Sequence, residues 1–174
     1  MFLMFKTIII TSYFFFNLIN SSFANIEIRF LDLNYIIENS KSGKEINLIL
    51  QSKNKQNLEL IKKSQENINI FQKDIESKKN ILSQNEIDKS NNELLNQIEV
   101  FNRLKKEKER EFIELRQKYL NILLNELNNI IVLYSNNNEI DIIIKKENMI
   151  SGKKNLDVTD VILDQLNKIK IDLK

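Results

Sequence analysis

The 174-residue chain contains no cysteine, no histidine and no proline, and only two glycines, Gly43 and Gly152. Each absence excludes something. Without cysteine there are no disulfides, no thiol nucleophile and no lipid-anchoring thiol. Without histidine there is no imidazole base and no histidine ligand for zinc or heme. Two glycines far apart cannot build a phosphate-cradling P-loop or a dinucleotide-binding turn, both of which need several glycines close together. A polar chain free of proline favours long uninterrupted helices. No cofactor is expected. What is abundant is charge, 29% of residues, together with Ile, Asn and Lys. The apolar residues keep a regular period, so the bias reads as codon usage rather than low complexity.

The first 24 residues, MFLMFKTIIITSYFFFNLINSSFA, carry one charge, Lys6. Their apolar stretch runs from Thr7 to Ile19, shorter than a bilayer span needs, and Ser22 and Ala24 sit at the −3 and −1 positions of an export cleavage site. The reading is a secretory signal peptide over residues 1–24, cut between Ala24 and Asn25. The mature chain then has 25 basic and 24 acidic residues, net +1. That balance and an address outside the cytoplasm exclude a nucleic-acid-binding role, which needs more excess positive charge.

Three parts follow. Residues 25–43 form the first piece of a small body. Ile26, Ile28 and Phe30 alternate with Glu27 and Arg29 as in a half-buried strand. A short helix capped by Asp32 comes next, then a loop at Ser40–Lys44 in which Gly43 supplies an unusual backbone angle. Residues 44–135 read as a helical arm. Ile61, Ile68, Ile75 and Leu82 recur every seven residues; Leu94, Ile98, Phe101, Phe112, Leu115 and Tyr119 continue in threes and fours, and Leu123, Leu127, Ile130 and Tyr134 follow a four-residue slip. The companion seam positions are poor, with Gln65 and Lys78 on them. The least periodic stretch, 83–93, is where the chain is expected to turn back, giving two antiparallel arms. Residues 136–174 complete the body with a strand containing Ile140, Ile142 and Ile144, a second short strand near Met149, and a last helix capped by Thr159. The fold class is therefore α+β: a small sheet carrying a long antiparallel coiled-coil hairpin. A sheet this small buries little by itself, so Ile26, Ile28, Phe30, Ile140, Ile142 and Ile144 are candidates for joining copies.

The order of these features resembles the Skp/OmpH family. The residues that carry the likeness are the Ser40-x-x-Gly43-Lys44 segment, the charged coil, and Asp157-Val158-Thr159-Asp160 before Val161, Ile162 and Leu166. The resemblance implies a homotrimer whose hairpins hang like tentacles around a cavity. It implies a periplasmic, ATP-independent chaperone that holds unfolded outer-membrane proteins and passes them to the assembly machinery, with lipopolysaccharide as a further partner. No basic cluster is assigned to lipopolysaccharide here. Family arms are Lys-rich to their ends, whereas this chain has nine basic and five acidic residues in 41–79, seven and four in 103–118, and one and four in the tip, 80–102. The shafts are basic and the tip acidic.

A holdase needs apolar side chains off the seam, and Leu60, Ile70, Ile81, Leu95 and Ile113 are the candidates for client contact. A non-catalytic scaffold or adaptor of the cell envelope is the alternative. An enzyme is the weakest reading: Asp157 and Asp160 lie where carboxylates cap a helix, and no pocket-forming fold is apparent.

Overall fold

A computed structural model describes residues 26–173. The expected signal peptide and its cleavage point at Ala24 and Asn25 lie outside the described residues. The elements are β1 (Ile28–Leu31), α1 (Leu33–Asn39), α2 (Lys41–Lys78), α3 (Gln84–Asn137), β2 (Ile142–Lys145) and α4 (Thr159–Leu166), with single 3-10 turns at Lys146–Asn148 and Lys154–Leu156. The fold is α+β as expected, mostly long helix with a two-stranded sheet.

β1 and β2 pair in parallel, Ile28 beside Ile142 and Phe30 beside Ile144. Parallel strands need a crossover between them, and here the crossover is the entire helical arm. On the other side of β1, Phe30 forms a bridge with Asp157. The Val158 N–H donates to the Phe30 carbonyl at 2.9 Å. This replaces the expected strand at Met149, where the chain makes a 3-10 turn and leaves Ile150 exposed.

The core lies beneath the sheet. Leu31 and Ile36 meet Ile46 from the base of α2, then Leu123, Leu127 and Ile130 from α3, and Ile162 and Leu166 from α4. The apolar stripe of α3 thus serves two masters: its first half closes the arm, its last third closes the body.

Asp32 caps α1, accepting from the Tyr35 N–H at 2.9 Å, and pairs with Lys146 at 3.3 Å. The Tyr35 N–H chiefly, helped by Lys146, holds its carboxyl below the usual range. Thr159 does not cap α4; Val158 occupies that position. The buried Thr159 hydroxyl instead accepts from the Asp32 N–H at 2.8 Å and donates to Asp157, whose carboxylate also accepts from the Thr159 N–H at 2.9 Å. The D-V-T-D segment therefore fastens the end of β1 to the start of α4.

Ser40–Lys44 is no loop. Ser40 ends α1, its N–H donating to Ile36, and opens α2, its hydroxyl oxygen accepting from the Gly43 N–H at 3.0 Å. It is fully buried. Gly43 does not supply an unusual angle, since no glycine here has positive φ. It supplies room: a Cβ on it would lie 1.7 Å from the Ile37 carbonyl oxygen.

Of the six residues expected to join copies, Ile26, Ile28 and Ile142 are exposed and Ile144 is half-buried. Phe30 and Ile140 are covered by the chain itself. Gly152 lies so close to the Phe30 ring that a Cβ on it would be 2.8 Å from a ring carbon, and Ile140 falls before β2, its N–H bound to the Ser135 carbonyl at 3.0 Å. Those two side chains are already buried within one chain and so offer a second copy little new surface.

Candidate functional site in the helical arm

α2 has 38 residues and α3 has 54. At 1.5 Å per residue they run for about 57 Å and about 81 Å. The chain reverses at residues 79–83, earlier than the 83–93 stretch expected. The cause is local. Ser83 stands as the N-cap of α3, and the Glu86 carboxylate reaches back to its N–H at 2.8 Å and its hydroxyl at 2.6 Å. This is the reach of a capping box, and it starts a helix inside the polar segment. Bonding from the Ser83 side chain and then its backbone holds the Glu86 carboxyl below its ordinary value. The signal was present in the sequence as S-x-x-E.

The seam alternates steps of three and four. On α2 it passes through Ile61, Ser64, Ile68, Phe71 and Ile75, all buried or half-buried. The companion positions are thus Ser64 and Phe71, with Gln65 outside on the exposed side and Lys78, next in the register, exposed where α2 ends. On α3 Gln97 lies in the seam and Ile98 beside it is exposed.

Midway, the seam turns polar. Asn57 is buried, 5% exposed, and its side-chain amide donates to the Lys108 carbonyl at 3.3 Å. Glu111 pairs with Lys108 at 2.8 Å on its own helix and with Lys53 across the seam at 3.5 Å. Lys108 chiefly holds the Glu111 carboxyl low, and Glu111 chiefly holds the Lys108 ammonium high. Here both helices take two successive steps of four, 53–57–61 on α2 and 104–108–112 on α3, the local unwinding of a stutter. A polar residue at one seam position specifies register at some cost in stability. Asn57→Leu is expected to raise the stability by about 1 kcal/mol, since the Lys108 carbonyl keeps its own helical partner while apolar surface is buried. Thermal melting checks this; a lower melting temperature would mean that the amide bond outweighs burial.

The five client-contact candidates, Leu60, Ile70, Ile81, Leu95 and Ile113, are all exposed, Ile81 at the turn most of all at 83%. They are spread along both helices rather than gathered into one patch, and each is set among charged neighbours. Leu48, Leu58 and Val100 are exposed in the same way and were missed, because their spacing from the seam residues carries no distinguishing signal. The arm thus offers many separate apolar footholds on a surface of mixed charge. Open grooves lie at its base, one of them lined by Ile49 and the C-terminal residues.

Comparison with known proteins agrees with this architecture. None of the curated proteins compared matches the chain. Among solved structures, a candidate outer membrane chaperone (OmpH-like) from Caulobacter crescentus CB15 has the same fold, with a TM-score of 0.77 at 17% identity over 83% of this chain and 85% of that one. The family model described as Outer membrane protein (OmpH-like) matches residues 27–166, from the start of the sheet to the end of α4. The chain, from β1 through the hairpin to the last helix, belongs to the OmpH-like family, the Skp/OmpH group that its sequence resembles.

Proposed function

We propose that the protein is an ATP-independent holdase of the periplasm, which binds unfolded outer-membrane proteins between the arms of a homotrimer and keeps them from aggregating before assembly. The observation that carries this is the dispersal of single exposed apolar side chains along a two-helix arm, in a chain of the OmpH-like family. The solved relative described as an outer membrane chaperone supports it.

The physics suits the task. A membrane β-barrel segment in water exposes apolar side chains and unpaired edges that drive aggregation. A holdase must grip many such segments and let them go without a nucleotide. Burying one half-exposed Leu or Ile yields on the order of 1 kcal/mol. Several such contacts joined on one body hold a chain through effective concentration, and each breaks readily. The basic shafts draw in acidic clients over about 8 Å at physiological salt. The exposed Ile26, Ile28 and Ile142 on the sheet give copies a surface on which to join. Handover to an assembly machinery and contact with lipopolysaccharide follow from the family likeness alone, and no residue is assigned to either.

The test is dilution of a urea-unfolded porin into buffer without ATP. The mature protein in molar excess as trimer is expected to abolish most of the light scattering. Undiminished scattering would overturn the holdase reading in favour of an envelope scaffold.

A further inference from the structure

Beyond α4 the chain does not simply end at the surface. The Lys41 N–H, at the start of α2, donates to the Asn167 side chain at 2.7 Å, and the Lys41 ammonium reaches the Asn167 carbonyl at 3.4 Å. From there the tail runs beside α2. Ile171 and Leu173 are buried in the core cluster, while Lys170 and Asp172 between and before them are exposed. Burial at every second residue is the signature of an extended chain lying on a surface. The tail lies outside the segment that matches the family.

Between the tail and α2 an open groove of about 610 Å³ remains, walled by Glu45 and Ile49 on one side and by Lys170, Ile171, Asp172 and Leu173 of the tail on the other. Lys41, Glu45 and Ile49 are four residues apart, so they form one stripe along α2. The stripe continues past the tail. A second groove of about 430 Å³, bounded by Leu48, Ile49, Ser52, Lys53 and Gln56 of α2 and Leu115 of α3, shares Ile49 with the first. One track therefore leads from the body up into the arm. Its lower half is bordered by an extended segment whose apolar residues, Ile171 and Leu173, are seated in the core, and its upper half runs free along the arm.

We infer that this α2 track is a docking site for extended client segments with an apolar residue at every second position, and that the chain's own C-terminal tail, seated along its lower edge, is the resident segment that such a client displaces. The class of ligand is read from the resident segment. A strand of a membrane β-barrel has the same period-two alternation as Ile171-Asp172-Leu173. The inference rests on the holdase reading and deepens it, giving one specific track among the dispersed footholds. Competition from a tethered tail also gives release without a nucleotide: the tail is always near, at high effective concentration, and reseats on the core beside the lower groove as a client segment leaves.

The chain has no cysteine, so Ser52→Cys places a single photo-crosslinker in the upper track. The client is a urea-unfolded eight-stranded outer-membrane barrel. Releasing the tail with Ile171→Ser and Leu173→Ser is expected to raise the crosslinking yield at least threefold, with no change at a control probe, Lys62→Cys, on the exposed side of the arm. Equal or lower yields at Ser52→Cys, with holding intact, would overturn the track and leave the holdase reading standing. A wild-type protein that fails to hold the barrel sinks that reading instead. A second measurement needs neither client nor holding activity. A fluorescent peptide of residues 167–173 is expected to bind the released-tail protein at least tenfold more tightly than wild type, and a peptide with the two apolar residues made adjacent is not. Equal binding of both peptides, or equal affinity for both proteins, overturns the inference. Should the double variant not fold, the unlabelled peptide added to wild type must reduce crosslinking at Ser52→Cys; no reduction overturns it.

Discussion

Gly43→Ala is expected to destabilise the protein, against the direction that helix propensity alone would give. Gly43 lies in the first turn of α2, where alanine is favoured over glycine by about 1 kcal/mol. The added methyl, however, would stand 1.7 Å from the Ile37 carbonyl oxygen and 2.9 Å from its carbon. These are backbone atoms held by the end of α1, so no side chain can swing away. Relief requires α1 and α2 to separate by more than an ångström, and that would pull Ser40 from both helix ends it serves. Overpacking of this kind costs about 1–3 kcal/mol where the surroundings can relax, and more against rigid backbone. Steric cost wins, and a net loss of about 2 kcal/mol or more is expected, a fall in melting temperature of roughly 4–8 °C for a chain of this size. Urea or thermal unfolding decides it. A stabilised Gly43→Ala protein would show that the two helices do not approach as described.

The second large effect belongs to Leu127. It is 1% exposed and lies where α3 passes from the arm into the body, among Leu123, Ile130 and the body's own Ile36, Ile162 and Leu166. Leu127→Ala removes three heavy atoms from a site closed by several elements, and the walls cannot all collapse inward. The expected cost is about 3–4 kcal/mol, transfer and cavity together. Leu133→Ala, six residues on in the same helix but 61% exposed, is expected to stay within about 0.5 kcal/mol. The pair separates packing from helix propensity, since both replace leucine by alanine in one helix. Similar urea midpoints for the two variants would mean that the body is not built on α3.

The periodic residues carried most of the fold. Ile61, Ile68 and Ile75 fall on the seam because a seven-residue apolar repeat in a proline-free chain leaves a helix one face to bury. The turn falls earlier than polar composition predicts, because Ser83 and Glu86 start a helix inside that polar segment. Thr159 was legible as important and misassigned in role: its partner Asp32 is 127 residues away, a separation no local pattern can report. The same holds for Asn57, whose seam position emerges only when α3 lies against α2. The apolar candidates on the arm were legible by elimination, as residues off the seam, but elimination does not rank them, and so Leu48 and Leu58 were passed over.

Residue order alone settled the helical arm and the strands that frame it, because these follow from side-chain types and from periods within a few turns of chain. Which contacts join distant segments was settled by three-dimensional packing: the carbonyl that forbids a side chain at Gly43, the threonine that binds β1 to α4, and the tail seated beside Ile49. Each depends on two backbones brought within a few ångströms of one another by the burial of a shared core, and a one-dimensional pattern contains no distance between them.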